Sequence, residues 1–164
     1  MNRPLLALLL GLLLSACAAV TPLPERAPTL ALPLSLHVQR LDGPAQDSLL
    51  VIQAERERLR WSLFDPLGVP LSRQLLERGA WHNDGLLPPN PAARELFAAL
   101  LFALTPATQL PALYPAGRWR QDADGGRLLD GRWRVAYPAA DTLELHGPDG
   151  ERYRVISLPA EATS

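Results

Sequence analysis

The stretch RLRWSLFDPLGVPLSRQLL (residues 58–76) decides the fold. Its first half alternates: Leu59, Trp61 and Leu63 share one face against Arg58, Arg60 and Ser62. That two-residue period belongs to a half-buried strand. Asp65-Pro66-Leu67-Gly68 is a turn sequence, since proline presets φ and glycine adopts conformations that are costly for other residues. Alternation resumes over Val69–Leu76, with Val69, Leu71 and Leu75 on one face and Pro70, Ser72 and Gln74 on the other. Strand, tight turn and strand make an antiparallel hairpin.

The same grammar extends in both directions. Upstream, Leu34, Leu36 and Val38 alternate with Ser35, His37 and Gln39, then comes the turn Asp42-Gly43-Pro44 and a strand over Ser48–Ala54. A helix over 53–60 would satisfy propensity, but the alternation through Trp61 favours two antiparallel strands. Downstream, Gly79 breaks the chain, Ala80–His82 is extended and Asn83-Asp84-Gly85 turns again. One helix is predicted over Ala92–Leu104, with Asn90 as N-cap and Pro91 in the first helical position. Leu96, Phe97, Leu100, Leu101 and Leu104 form its apolar stripe, and the opposite alanines Ala92, Ala99 and Ala103 predict that both sides are covered. Thr105-Pro106 is expected to cap a further short turn carrying Leu110 and Leu113.

Strands then return: Arg118–Arg120, Arg127–Leu129, Arg132–Tyr137, and a hairpin of Thr142–His146 with Arg152–Leu158 around Gly147-Pro148-Asp149-Gly150. About eight or nine strands split by a helical insertion predict one α+β domain over 34–158. Its expected form is a strongly curved antiparallel sheet, an open half-barrel covered by one or two helices. Residues 159–164 read as a flexible tail.

The N-terminus has a different logic. Arg3 precedes the apolar run Leu5–Leu14, and Leu14-Ser15-Ala16-Cys17 closes it, the layout of a secretory signal peptide over 1–16. The run is too short for a bilayer span, which needs roughly 20 apolar residues. Leu-Ser-Ala-Cys resembles a bacterial lipobox, which implies cleavage before Cys17, acylation of its thiol and amine, and a palmitate-type lipid anchor. An ordinary signal peptide cut nearby would leave a spare thiol; that Cys17 is the only cysteine and stands at this place favours the lipobox. Residues 17–33 carry Pro22, Pro24, Pro28 and Pro33 with no periodicity, so they read as a tether. Extended at roughly 3 Å per residue, it would span on the order of 50 Å.

Composition excludes several classes of function. A formal net charge of −1 offers no basic footprint for nucleic acid. All basic residues are arginine, which removes a lysine Schiff base and a phosphate-binding P-loop lysine. His37, His82 and His146 lack metal-ligand spacing, and no G-x-S-x-G elbow occurs. Asp122-Ala123-Asp124-Gly125 begins like a calcium loop, but the twelfth position is Trp133 rather than Glu, so a plain loop is expected. No cofactor, metal or catalytic residue is predicted. The four tryptophans fall in strands; core packing accounts for them, unless some line an apolar cavity between sheet and helix.

The element order, with Tyr114-Pro115-Ala116-Gly117-Arg118-Trp119, Leu128-Leu129-Asp130-Gly131 and the segment Phe64–Leu71, resembles a family of small bacterial lipoproteins. The genes of that family lie among aryl-polyene and related polyketide or fatty-acid-type biosynthesis genes. The layout is also similar to the LolA/LolB fold of lipoprotein carriers, a half-barrel closed by helices over an apolar cavity. Gly85-Leu86-Leu87-Pro88 stands where LolB has a protruding loop with an exposed leucine. The resemblance implies an outer-membrane lipid anchor facing the periplasm, with Ala18 after the cysteine agreeing with outer-membrane sorting. It further implies an acyl, polyene or lipoprotein-lipid ligand and a periplasmic carrier as partner. The residues expected to line the cavity are Trp61, Leu63, Leu71, Leu100, Leu101, Trp119, Trp133 and Val135. The alternative is a non-catalytic lipoprotein with a filled core that docks a partner of the same pathway.

Overall fold

The computed structural model describes residues 20–159. The signal peptide, Cys17 and most of the C-terminal tail therefore lie outside the described residues. The elements in chain order are strands β1 (Leu34–Arg40), β2 (Gln46–Glu55), β3 (Arg58–Phe64), β4 (Pro70–Glu77) and β5 (Ala80–Asn83), then helices α1 (Pro91–Leu104) and α2 (Leu110–Leu113). Strands β6 (Trp119–Gln121), β7 (Arg127–Leu129), β8 (Trp133–Ala139), β9 (Thr142–His146) and β10 (Arg152–Ser157) follow.

All ten strands join one open sheet in the order β5-β4-β3-β2-β1-β10-β9-β8-β7-β6. Every neighbouring pair is antiparallel. The chain thus makes two five-stranded meanders, before and after the helices, which meet where β1 pairs with β10 (Val38 opposite Val155). The α+β class and the antiparallel meander agree with the sequence. The strand count exceeds expectation because the short edge strands β5 and β6 both pair.

Helix α1 starts as its sequence dictates: the Ala93 amide donates to Asn90 Oδ1 at 3.0 Å, and Pro91 occupies the first turn, where it forfeits no bond. Residues Leu96–Ala103 are all buried, so α1 is covered all round. Its C-terminus corrects one expectation. Thr105 closes α1, its hydroxyl donating to the Leu101 carbonyl at 2.6 Å, and does not begin α2. Beyond it the buried Arg127 of β7 donates through one terminal nitrogen to the Phe102, Ala103 and Thr105 carbonyls (3.3, 3.2 and 2.8 Å). A cation at this end complements the helix dipole. The Tyr137 hydroxyl adds a bond to the Ala103 carbonyl at 2.8 Å.

Strand β4 corrects a second expectation. Residues directly opposite share a face of the sheet, and Leu59, Trp61 and Leu63 stand opposite Leu76, Gln74 and Ser72. The core side of β4 is therefore Ser72, Gln74 and Leu76, while Leu75 belongs to the other set. A register shift between Leu63 and Phe64 passes over Leu71, which has no partner in β3. Buried Gln74 is satisfied from both sides, donating to Asn83 at 3.1 Å and accepting from Arg94 of α1 at 3.0 Å.

The proline-rich stretch is seated on the domain from Thr21 onward, instead of running free as a spacer. Thr21 is buried, with its amide and hydroxyl both donating to Glu95 of α1 and its oxygen accepting from the Trp133 indole at 3.0 Å. The Thr29 amide donates to Gln109 at 2.9 Å, and Leu23, Leu30 and Leu32 pack against the core. Prolines make this inexpensive, because they bring no N–H that would need a partner when buried. Gly79, in the β4–β5 turn at φ 72°, leaves room for the strap: a Cβ there would lie 3.3 Å from the Pro24 carbonyl oxygen and the Glu25 Cα.

Candidate functional site

One core joins the inward residues of both meanders to α1. Trp61, Trp81 and Phe97 form a cluster with ring centroids 5.3 to 5.8 Å apart, tilted or edge-on. Phe102 meets Tyr114 at 5.2 Å and Trp119 at 6.5 Å, while Trp133 lies 6.4 Å from Tyr153. Between the first turns of α1 and strands β1–β4 and β10 the packing opens into a cavity of about 230 Å³. Its apolar wall is Val38, Leu63, Leu71, Ala92, Ala93 and Leu96, and its polar lip is Arg40, Gln46, Ser48 and Asn90, with Tyr153 beside Arg40.

The eight residues expected to line a cavity divide. Leu63 and Leu71 line this one, Leu71 remaining partly exposed. Trp61, Leu100, Leu101 and Val135 are fully buried in the core, Trp133 nearly so, and none of the five reaches the cavity. Trp119 is half-buried against Phe102 on the edge strand β6. The lip residues were missed, although the sequence marks them. Arg40 extends the inward series Leu36–Val38, Ser48 the series Leu50–Ile52, and Tyr153 the series ending at Val155. A polar group that prolongs an inward apolar series at a strand end marks the place where the interior meets water.

The lip is electrostatically settled. Arg40 grips Asp42 with two bonds, Nε to Oδ1 at 2.9 Å and a terminal nitrogen to Oδ2 at 2.8 Å, and its guanidinium carbon stands 6.0 Å from the Tyr153 ring centroid. The hydrogen bond from Arg40 holds the Asp42 carboxyl well below the usual carboxylate range, and the same bond raises Arg40. This bidentate pair leaves the lip locally neutral on balance. Among the described residues no three His, Cys, Asp or Glu side chains gather to hold a metal ion, and no helix is long and apolar enough to cross a membrane. No protein-family model matches the chain, and no curated protein matches its sequence.

Proposed function

We propose that this chain is a lipoprotein anchored through Cys17, facing the periplasm from the outer membrane, that holds an apolar ligand in the cavity at the first turns of α1. The observation that carries the reading is that cavity, with its apolar wall and polar lip. Its size narrows the ligand. A cavity of about 150 Å³ accepts benzene, so 230 Å³ suits roughly nine carbon atoms. That is the end of one acyl or polyene chain, and not the whole of a triacylated lipoprotein cargo.

A wrapped, LolA/LolB-like sheet fits the same reading and has a distance argument in its favour. In a flat sheet of ten strands the edges β5 and β6 would lie roughly 43 Å apart. Yet Trp81 of β5 lies 5.8 Å from Phe97, and Trp119 of β6 lies 6.5 Å from Phe102. Phe97 and Phe102 are five residues apart on one helix, which with a helix diameter allows at most about 26 Å between those tryptophans. Leu86, fully exposed beyond β5, suits the protruding leucine of that layout.

The second reading, an interaction lipoprotein with a filled core, draws on the close packing of Trp61, Leu100, Leu101 and Val135 deeper inside. One experiment separates the two. Lipid that is not covalently attached would be extracted from the membrane-purified protein and from its Ala93→Leu variant, which fills the cavity, and identified by mass spectrometry. The carrier reading expects one acyl-type molecule per chain in the parent and several-fold less in the variant, with unchanged circular dichroism. Absence of lipid from the parent, or equal amounts in both, favours the filled-core reading.

A further inference from the structure

We propose that the end of the domain holding the cavity mouth rests directly on the bilayer, with the β3–β4 turn, Asp65–Val69, as its contact. The inference rests on the lipid anchor at Cys17 and adds an orientation and a surface to it.

Two independent observations meet at this end. The first is the leash. The Thr21 hydroxyl is held between Glu95, in the second turn of α1, and Trp133, the first residue of β8. Trp133 stands opposite Leu129, and its neighbour Arg134 opposite His146, so it lies at the end where the β9–β10 turn also sits. Only three residues separate Thr21 from Cys17, four steps of the chain with a reach of at most about 14 Å. An acylated Cys17 thus keeps this end close to the headgroups, where a free tether would have allowed on the order of 50 Å.

The second is what this end displays. The antiparallel registers place the β1–β2, β3–β4 and β9–β10 turns there together. In the β3–β4 turn, Leu67 is 89% exposed and Val69 53% exposed. The turn is built rigidly. Asp65 Oδ1 accepts from the Leu67 and Val69 amides at 2.9 and 2.8 Å, its carbonyl accepts from Gly68 at 3.0 Å, and its amide donates to Val69 at 2.9 Å. Two apolar side chains are thereby presented to solvent with no ordering left to do on binding. At the opposite end the turns are charged, Glu55-Arg56-Glu57-Arg58 between β2 and β3 and Glu77-Arg78 between β4 and β5. The β9–β10 turn carries Asp149 and Glu151, so the contact falls on the β3–β4 side and the domain tilts toward it.

The test uses the full lipidated chain, in which acylation occupies the thiol of Cys17, reconstituted in phosphatidylethanolamine/phosphatidylglycerol vesicles. An environment-sensitive dye is attached at Leu67→Cys and, as a control in the β2–β3 turn at the opposite end, at Glu57→Cys. Spin-labelled lipid should quench the dye at 67 at least threefold more than at 57. Equal quenching at both positions, with the mass of the mature chain showing an acylated Cys17, overturns the docking end and leaves the anchor standing. A mass without acyl groups removes the leash and overturns the proposal through the anchor, a different signature. A dye at 67 that is already shielded in Cys17→Ser protein without vesicles marks a protein contact and overturns it as well.

Discussion

Replacing Arg127 by methionine should destabilise the domain by about 2 to 3 kcal/mol. This side chain is 7% exposed, and one terminal nitrogen serves three carbonyls at the end of α1. Losing a charge-assisted bond of this kind costs about 2 kcal/mol. A partly buried cation at a helix C-terminus contributes about 1 to 2 kcal/mol more. Its guanidinium carbon lies 5.1 Å from the Tyr137 ring centroid, a cation–π contact of about 1 kcal/mol. Against this, methionine avoids the desolvation of a buried cation, which returns about 2 kcal/mol or more. The balance is a loss of about 2 to 3 kcal/mol, or roughly 8 °C in Tm for a domain of this size. Urea unfolding of the full chain in mild detergent, followed by tryptophan fluorescence, should show a lower midpoint at unchanged slope. Arg127→Lys keeps the charge without the planar fork and should fall between the two. A methionine variant within 1 kcal/mol of the parent would refute the reasoning, since desolvation would then outweigh the bonds.

Four further outcomes follow from the same geometry. Leu96→Ala, at a buried position on the cavity wall, should cost about 3 kcal/mol and enlarge the cavity; a saturating short alkane should then raise the Tm of the variant more than that of the parent. Thr21→Val strands Glu95 and the Trp133 indole, costing about 2 kcal/mol, and should open residues 22–33 to limited proteolysis, whereas unchanged protection would contradict a seated strap. Burial pushes the Tyr137 phenol up to about 12 against an opposing pull from Arg127, and burial also raises Tyr114. The neutral phenols belong to the folded state, so their contribution is complete below pH 10 and lost as pH rises through 12; the alkaline fall in unfolding free energy should be shallower in Tyr137→Phe. Arg56 sits at φ 56° in the β2–β3 turn, and Arg56→Gly should raise stability by about 1 kcal/mol in the same urea assay.

The hairpins were legible in the sequence because their signals are local: an alternating run, a turn, an alternating run. The pairing of β1 with β10 was not, because Val38 and Val155 carry no mark that distinguishes each other from any other inward valine. The facing of β4 was misread for a specific reason. With a side-chain period of two, reading apolar as inward selects Leu71 and Leu75, whereas pairing with Leu59, Trp61 and Leu63 turns Leu76, Gln74 and Ser72 to the core. The strap hides from sequence because its prolines suggest solvent, while Leu23, Leu30 and Leu32 among them supply the apolar area that seats it.

The cavity lies where bulk runs out along α1. Helix α1 is tied by polar bonds at Arg94 to Gln74 and Asn83, and at its far end by Arg127 and Tyr137. Between those ties Phe97 and Phe102 fill the interior with rings from both sheet edges. Only the turn before Arg94 lacks bulk, since Ala92 and Ala93 face the wall where the inward strand series run out into Arg40, Ser48 and Tyr153. Two alanines at that point set the volume, so the size of a ligand should follow residue 93 far more closely than the tryptophans that dominate the core.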